Sequence, residues 1–247
     1  MRALMAALGF LTILPVGRGA AGLPAPSMLP WFPVAGLIVG GLWLGFDQAV
    51  GRLLPSALRA VLDMGFVVVL TGGLHLDGLA DTADGLLSHR GRQEALRIMK
   101  DSRIGTWGVL ALLFVLGTKT LALHELLLRG EPHGLVLVPV YGRAAMLAGI
   151  FFLPYGRGEE GIGSLLFERS GRQDPWVKAG IVLLLAGSVA LLGRGGAVAL
   201  NAAFLGGVAL VLLAYRSRMG CVTGDMLGAL GEITETILLV VLAAGAS

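Results

Sequence analysis

The sequence predicts an all-α fold: a polytopic integral membrane helical bundle of about seven transmembrane helices (about six to eight), one membrane-embedded domain over residues 1–247. Three observations carry this. Only 14% of the residues are charged, against about 25% in a typical soluble domain. Mean hydropathy is +0.82 over the whole length. Apolar stretches of near-spanning length also recur to the end of the chain, separated by polar intervals too short to hold a soluble domain.

Taken in order, residues 2–14 open with Arg2 and an apolar run shorter than the roughly 20 residues a crossing takes. A cleaved leader would give way to a polar chain, whereas hydrophobic segments continue here, which argues for retention. This stretch is expected at the interface, tilted against neighbours, or inserted partway. Spans follow near 31–51, 61–76, 105–128, 134–153, 178–193, 197–215 and 233–245, the last beginning earlier, near Leu227. Between them lie the polar intervals 15–30, 52–60, 77–104, 154–177 and 216–226.

Basic residues orient these spans. Arg90, Arg92, Arg97, Lys100 and Arg103 fall in one interval, Arg157, Arg169, Arg172 and Lys178 in or beside the next long one, and Arg216 and Arg218 in a third. Counting spans puts all three on one side, which the positive-inside rule makes cytoplasmic, with Arg129 and Arg194 opposite. Composition excludes several classes. A formal charge of +3 gives no strong field for a polyanion, so nucleic acid is not an expected partner. The single cysteine, Cys221, excludes an intramolecular disulfide and a thiolate metal cluster and reads as a packing residue. The four histidines include no i, i+4 pair for a metal. Most of the 39 glycines read as helix-packing positions, Gly36 and Gly40 having Gly-x-x-x-Gly spacing. Gly72, Gly73, Gly78, Gly85, Gly105 and Gly224 flank charged residues, where a bare backbone lets a phosphate approach.

Three polar groups are candidates for chemistry. Asp77, Asp81 and Asp84 stand at i, i+4 and i+7, one stripe of a helix. Three carboxylates so placed repel one another and are costly near a membrane, and no Lys or Arg occurs between Arg59 and Arg90 to offset them. Hard oxygen ligands of this kind suit Mg²⁺ or Mn²⁺; solvated acids at a helix end are the plainer alternative. Arg97, Lys100 and Arg103 follow at three-residue intervals, predicting a basic face able to hold a phosphate or diphosphate; an ordinary basic loop is its alternative. The third group is Thr223-Gly-Asp225 with Glu232 and Glu235, spaced for a shared face and open to neutralisation by Arg216 or Arg218. Arg143, inside an apolar span, is either a substrate contact or the buried partner of an acid.

The stretch Gly72-Gly-Leu-His75-Leu-Asp77-Gly-Leu-Ala-Asp81-Thr-Ala-Asp84-Gly85 resembles the signature of the cobalamin synthase family, the adenosylcobinamide-GDP ribazoletransferases. Ile98-Met-Lys100-Asp101-Ser-Arg103-Ile-Gly105-Thr106, Phe10-Leu-Thr12-Ile-Leu-Pro15-Val and Thr223-Gly-Asp225-Met-Leu-Gly228-Ala with Glu232 are similar to further motifs of that family, in the same order. Ile13 stands where a basic residue is expected, and Cys221-Val222 where Gly-Gln is.

The resemblance implies nucleotide-loop assembly in cobalamin biosynthesis: adenosylcobinamide-GDP and α-ribazole, or its 5′-phosphate, give adenosylcobalamin, or its 5′-phosphate, and GMP. It also implies Mg²⁺ dependence and residence in the bacterial inner membrane. In this reading Asp77, Asp81 and Asp84 hold the metal, with Asp225 a further candidate ligand. Arg97, Lys100 and Arg103 meet the phosphates, Asp101 or Asp225 takes the proton of an attacking ribazole 5′-hydroxyl, and His75, Thr223, Glu232 and Glu235 remain polar candidates. A homo-oligomer or a complex with other corrinoid-assembly enzymes is left open. Two rival classes fit less well. A CDP-alcohol phosphotransferase has Arg where Thr82 stands, and a transporter would show paired broken helices or inverted repeats.

Overall fold

The computed structural model describes residues 1–16, 25–157, 166–167 and 175–245. Arg169 and Arg172, and the side chain of Lys178, lie outside the described residues. The described chain is helical, and its one β-type contact is an isolated parallel bridge between Tyr155 and Val222.

Helix α1 (Arg2–Leu11) is too short to cross a bilayer and buries Ala7, Leu8 and Leu11. Its exit is pinned to the bundle, the Ile13 amide donating to the Leu70 carbonyl at 2.9 Å. A 3₁₀ turn (Ala25–Trp31) leads into α2 (Phe32–Val50), and α3 (Ser56–Thr71) returns. Here the apolar stretch 61–76 does not make one span. Gly72 and Gly73 both take left-handed backbone (φ 64° and 67°), and α4 (Leu74–Leu87) leaves at 91° to α3. Only glycine takes such a pair of conformations without Cβ strain, so the break is written into Gly72-Gly73.

After the short α5 (Arg92–Ile98) come α6 (Thr106–Arg129), a 3₁₀ turn (Pro132–Val136) and α7 (Val138–Phe152). The expected spans 178–193 and 197–215 fall in two helical segments, together α8 (Pro175–Arg218), that meet at a kink at Gly193, where the backbone is non-helical (φ 69°). The last helix, α9 (Gly224–Ala243), begins earlier than its apolar run. By length and composition five described helices can cross a membrane, or up to six where the bent α3–α4 pair counts as one broken span. The chain is thus a multi-pass, all-α membrane protein.

Helices α7 and α9 form the centre: 72% of the apolar window of each is buried in protein, against 17% for the Gly187–Arg218 part of α8. Apolar burial between helices has little driving force in lipid, so close backbone approach decides the packing. Gly36 and Gly40 serve that purpose. A Cβ on Gly36 would fall 2.5 Å from the Pro139 carbonyl oxygen, and one on Gly40 would strike the Val136 carbonyl, so α2 lies directly on α7 and the turn before it.

Candidate active site at the crossing of α4 and α9

The 91° turn lays α4 across the start of α9. One stripe of α4 is buried there, including His75, Gly78, Leu79 and Thr82. The other carries the acids, with Asp77 exposed and Asp81 and Asp84 half-buried. Two glycines set the separation: a Cβ at Gly78 would come within 2.7 Å of the Asp225 carbonyl oxygen, and one at Gly228 within 3.1 Å of the His75 Cα. Any larger residue would push the helices apart and draw Asp225 away from Asp81. The charged groups acting on Asp81 are accordingly Asp77, Asp225 and Asp84, with Arg157 opposing them.

Arg157 is held in place by backbone. Gly156 N–H donates to the Val222 carbonyl and Val222 N–H to the Pro154 carbonyl, both at 2.9 Å. This aims the guanidinium so that Nη2 donates to Asp225 Oδ2 at 2.6 Å and to the Met99 carbonyl at 3.3 Å. Cys221 packs against Gly156, where a Cβ would meet its Sγ at 2.6 Å, so its small size is what the bridge requires. Sequence reasoning counted Arg157 only as one more basic loop residue. The glycines on both sides of it, Gly156 and Gly158, were the available signal. Thr223 supports the same end of α9 as its N-cap, the side chain accepting from Met226 N–H at 3.3 Å.

The three α4 acids are not equivalent. Asp84 accepts from Gly105 N–H at 2.7 Å and Gly108 N–H at 2.8 Å, one bond to each oxygen. Gly105 is the N-cap of α6 and has no capping side chain of its own, so Asp84 caps α6 from a neighbouring helix. Asp77 and Asp81 have no side-chain hydrogen bond or ion pair among the described residues.

The expected basic face does not form on one helix. Helix α5 ends at Ile98, so Arg97 lies in its last turn, while Lys100 and Arg103 lie in the connection that follows. Arg97 pairs with Glu94 at 2.6 Å and Arg103 with Asp101 at 2.8 Å, the arginine side chains 71% and 86% exposed. Hydrogen bonds from the Arg103 side chain and backbone hold the Asp101 carboxyl down to about 2. A base so weak has little affinity for a substrate proton at neutral pH.

Among the described residues no group of three or more His, Cys, Asp or Glu converges to enclose a metal ion. Mg²⁺ does not need one, since it keeps several waters and binds through one or two carboxylates plus substrate phosphate oxygens. Two unpartnered carboxylates, Asp77 and Asp81, beside Asp225 fit a metal held in that way.

A second polar cluster lies deeper in the bundle. Lys119 Nζ donates to Glu232 at 2.6 Å and to Glu235 at 2.8 Å, and Arg143 Nη1 donates to the other oxygen of Glu235. Arg143 is therefore the partner of an acid. Glu232 and Glu235 are engaged here, apart from Asp225, and Arg218 instead donates to the Leu86 carbonyl. His75 is buried next to this cluster, which acts on it electrostatically. A cavity of about 20 Å³, enough for a water molecule, opens between Lys119, Glu232, Glu235, Thr71 and Trp43. Lys119 drew no notice in the sequence, although it is an isolated cation in the middle of an apolar span.

The family described as cobalamin-5-phosphate synthase matches residues 3–243. The chain belongs to the cobalamin-5-phosphate synthase family. Among its relatives, proteins named adenosylcobinamide-GDP ribazoletransferase are 42% identical in Pseudomonas entomophila (96% of each chain) and 40% identical in a Roseiflexus species (96% of this chain, 87% of the relative). One from Acetivibrio thermocellus is 34% identical, over 97% of this chain and 96% of its own. No solved structure matches. As a cobalamin-5-phosphate synthase family member, the chain is a membrane-embedded transferase of cobalamin synthesis.

Proposed function

We propose that the chain is an adenosylcobinamide-GDP ribazoletransferase working at the α4–α9 crossing, on the cytoplasmic side of the bacterial inner membrane, with Mg²⁺ held by Asp77 and Asp81. The observation that carries this reading is Asp81, unpartnered and half-buried, set among Asp77, Asp84 and Asp225 opposite Arg157. Bound there, Mg²⁺ would neutralise the diphosphate oxygens of adenosylcobinamide-GDP.

A ribazole hydroxyl attacks the phosphorus attached to the corrinoid arm, the bond from that phosphorus to the GMP oxygen breaks, and GMP departs with the electron pair. The ribazole 5′-hydroxyl does not serve as nucleophile for both substrates. In α-ribazole 5′-phosphate that oxygen is already esterified and stays so in the product. The nucleophile common to both is a ring hydroxyl of the ribose. Asp225 takes its proton, since it lies in the cleft while Asp101 is tied to Arg103 in an exposed loop. Arg157 holds Asp225 in position, and Lys100 would meet charge growing on the leaving phosphate, with Arg103 able to join it only by leaving Asp101. A homo-oligomer or a complex with other corrinoid-assembly enzymes is compatible with a catalytic cleft carried within one chain.

GMP release by purified protein in lipid, on adding each ribazole form with and without Mg²⁺, tests the reading. Release is expected only with Mg²⁺ and a ribazole. A folded Asp81→Asn protein that released GMP at the full Mg²⁺-dependent rate would overturn the metal assignment.

A further inference from the structure

A third polar site lies between α2 and α3, at the ends of these helices remote from the α3–α4 break. Asp47 and Asp63 are fully buried there, and Trp43 is 1% exposed. Arg59 donates Nε and Nη2 to Asp47 Oδ1, at 3.0 and 2.6 Å. Asp47 Oδ2, both Asp63 oxygens and the Trp43 indole nitrogen are buried without a hydrogen-bond partner among the described residues. Asp47 and Trp43 are nonetheless the polar side chains facing the Asp63 carboxyl, and Asp47 and Arg59 the charged groups acting on it. Helix α6, also packed on α3, meets Ala60 and Met64 through Leu123, Leu126 and Leu127 in one apolar cluster; the titratable residues of that stretch are His124 and Glu125.

Two features point to the same missing component. If both acids are ionised, the cluster carries two negative charges against the one positive charge of Arg59, about 10 Å along a membrane helix from its start, where an uncompensated charge is expensive. The four orphaned atoms also comprise one N–H donor and three carboxyl oxygens, so they cannot all pair as they stand. A single proton on Asp63 resolves both. The protonated oxygen donates to Asp47 Oδ2, the Trp43 N–H donates to the other Asp63 oxygen, and the cluster becomes neutral. Mg²⁺ would instead leave it positive, and an N–H donor facing the acid suits a carboxyl better than a metal ligand.

We propose that Asp47 and Asp63 bind one proton between them, as a carboxyl–carboxylate pair closed by Trp43 and neutralised by Arg59. The site is separate from the acid cleft and ties α2 to α3 at the other end of the bundle. An amide copies the protonated acid, donating through its NH₂ and accepting through its oxygen, whereas an alkyl side chain does neither.

Infrared spectra of the full chain in lipid at neutral pH test this. The wild-type minus Asp63→Asn difference spectrum is expected to show the carbonyl stretch of a protonated carboxylic acid, shifting in heavy water. Asp47→Asn should abolish the same band, because Arg59 then neutralises the remaining acid. Asp63→Asn should keep its melting temperature within about 2 °C and its GMP release, while Asp63→Leu should lose more than about 5 °C. Absence of the band, or equal loss of stability in Asp63→Asn and Asp63→Leu, would overturn the proposal. So would a Na⁺-dependent wild-type melting temperature that becomes Na⁺-independent in Asp63→Asn, which would assign the site to a metal cation.

Discussion

The cleft around Asp81 and the cluster around Lys119 are built from the same kinds of residue and are spent on opposite ends. In the interior, Lys119 and Arg143 meet Glu232 and Glu235 one for one, within hydrogen-bonding distance and almost out of contact with solvent. At the cleft, Arg157 pairs with Asp225, while Asp77 and Asp81 have no side-chain partner among the described residues. A membrane protein retains buried charges where they neutralise one another. It retains an excess of one sign where a ligand is to supply the other. Paired charge therefore marks architecture in the interior cluster, and in the proposed function the unpaired acids of the cleft mark the chemistry.

Breaking each region should produce a different kind of failure. The largest effect expected is on the cleft: Asp81→Asn should lower GMP release by about 100-fold or more, the scale of removing one electrostatic catalytic group. Its melting temperature should stay level or rise, because a repulsive charge is lost. Lys119→Met should do the reverse. It leaves two glutamates with one buried arginine, a loss of about 3–5 kcal/mol, read as a fall in thermal midpoint, and Glu232→Gln added to it should restore part of that loss.

Asp84→Ala falls between the two. Removing the cap of α6 should cost about 0.5–2 kcal/mol, with activity reduced less than in Asp81→Asn because its oxygens already serve Gly105 and Gly108. A variant as inactive as Asp81→Asn, with unchanged stability, would move Asp84 from the cap to the metal.

The smallest effect belongs to the exposed loop. Hydrogen bonds from Arg103 depress the Asp101 carboxyl to about 2, below its ordinary value, so its pairing contributes above the unfolded value and is lost only as pH falls toward about 2. Whatever Asp101 contributes to stability should therefore be constant between about pH 5 and about pH 8, with no pH dependence from this group in that range. Asp101→Asn should leave the midpoint within error, and if it also leaves the pH profile of GMP release unchanged, Asp101 is not the proton acceptor.

Much of this contrast was legible before any coordinates. The spacing of Asp77, Asp81 and Asp84 does lie along one helix, and the Gly36/Gly40 pair does bring two helices together. Both follow from helical period alone, which every residue in a helix obeys. The basic row at Arg97, Lys100 and Arg103 was misread for a related reason. Three-residue spacing specifies a shared face only if the helix continues, and α5 stops at Ile98.

What the sequence determined by itself was local and compositional: an all-α membrane chain, a glycine-broken turn into an acidic helix, and motifs specific enough to name a family. Which acid is free and which is engaged was decided by tertiary structure. Asp84 reaches an amide 21 residues on, Arg157 an acid 68 residues on, and Lys119 a glutamate 113 residues on. None of those separations has a period to be read. They depend on how closely α4 approaches the start of α6, the segment after α7 the start of α9, and α6 the middle of α9, and a bond of under 3 Å exists or not according to those distances.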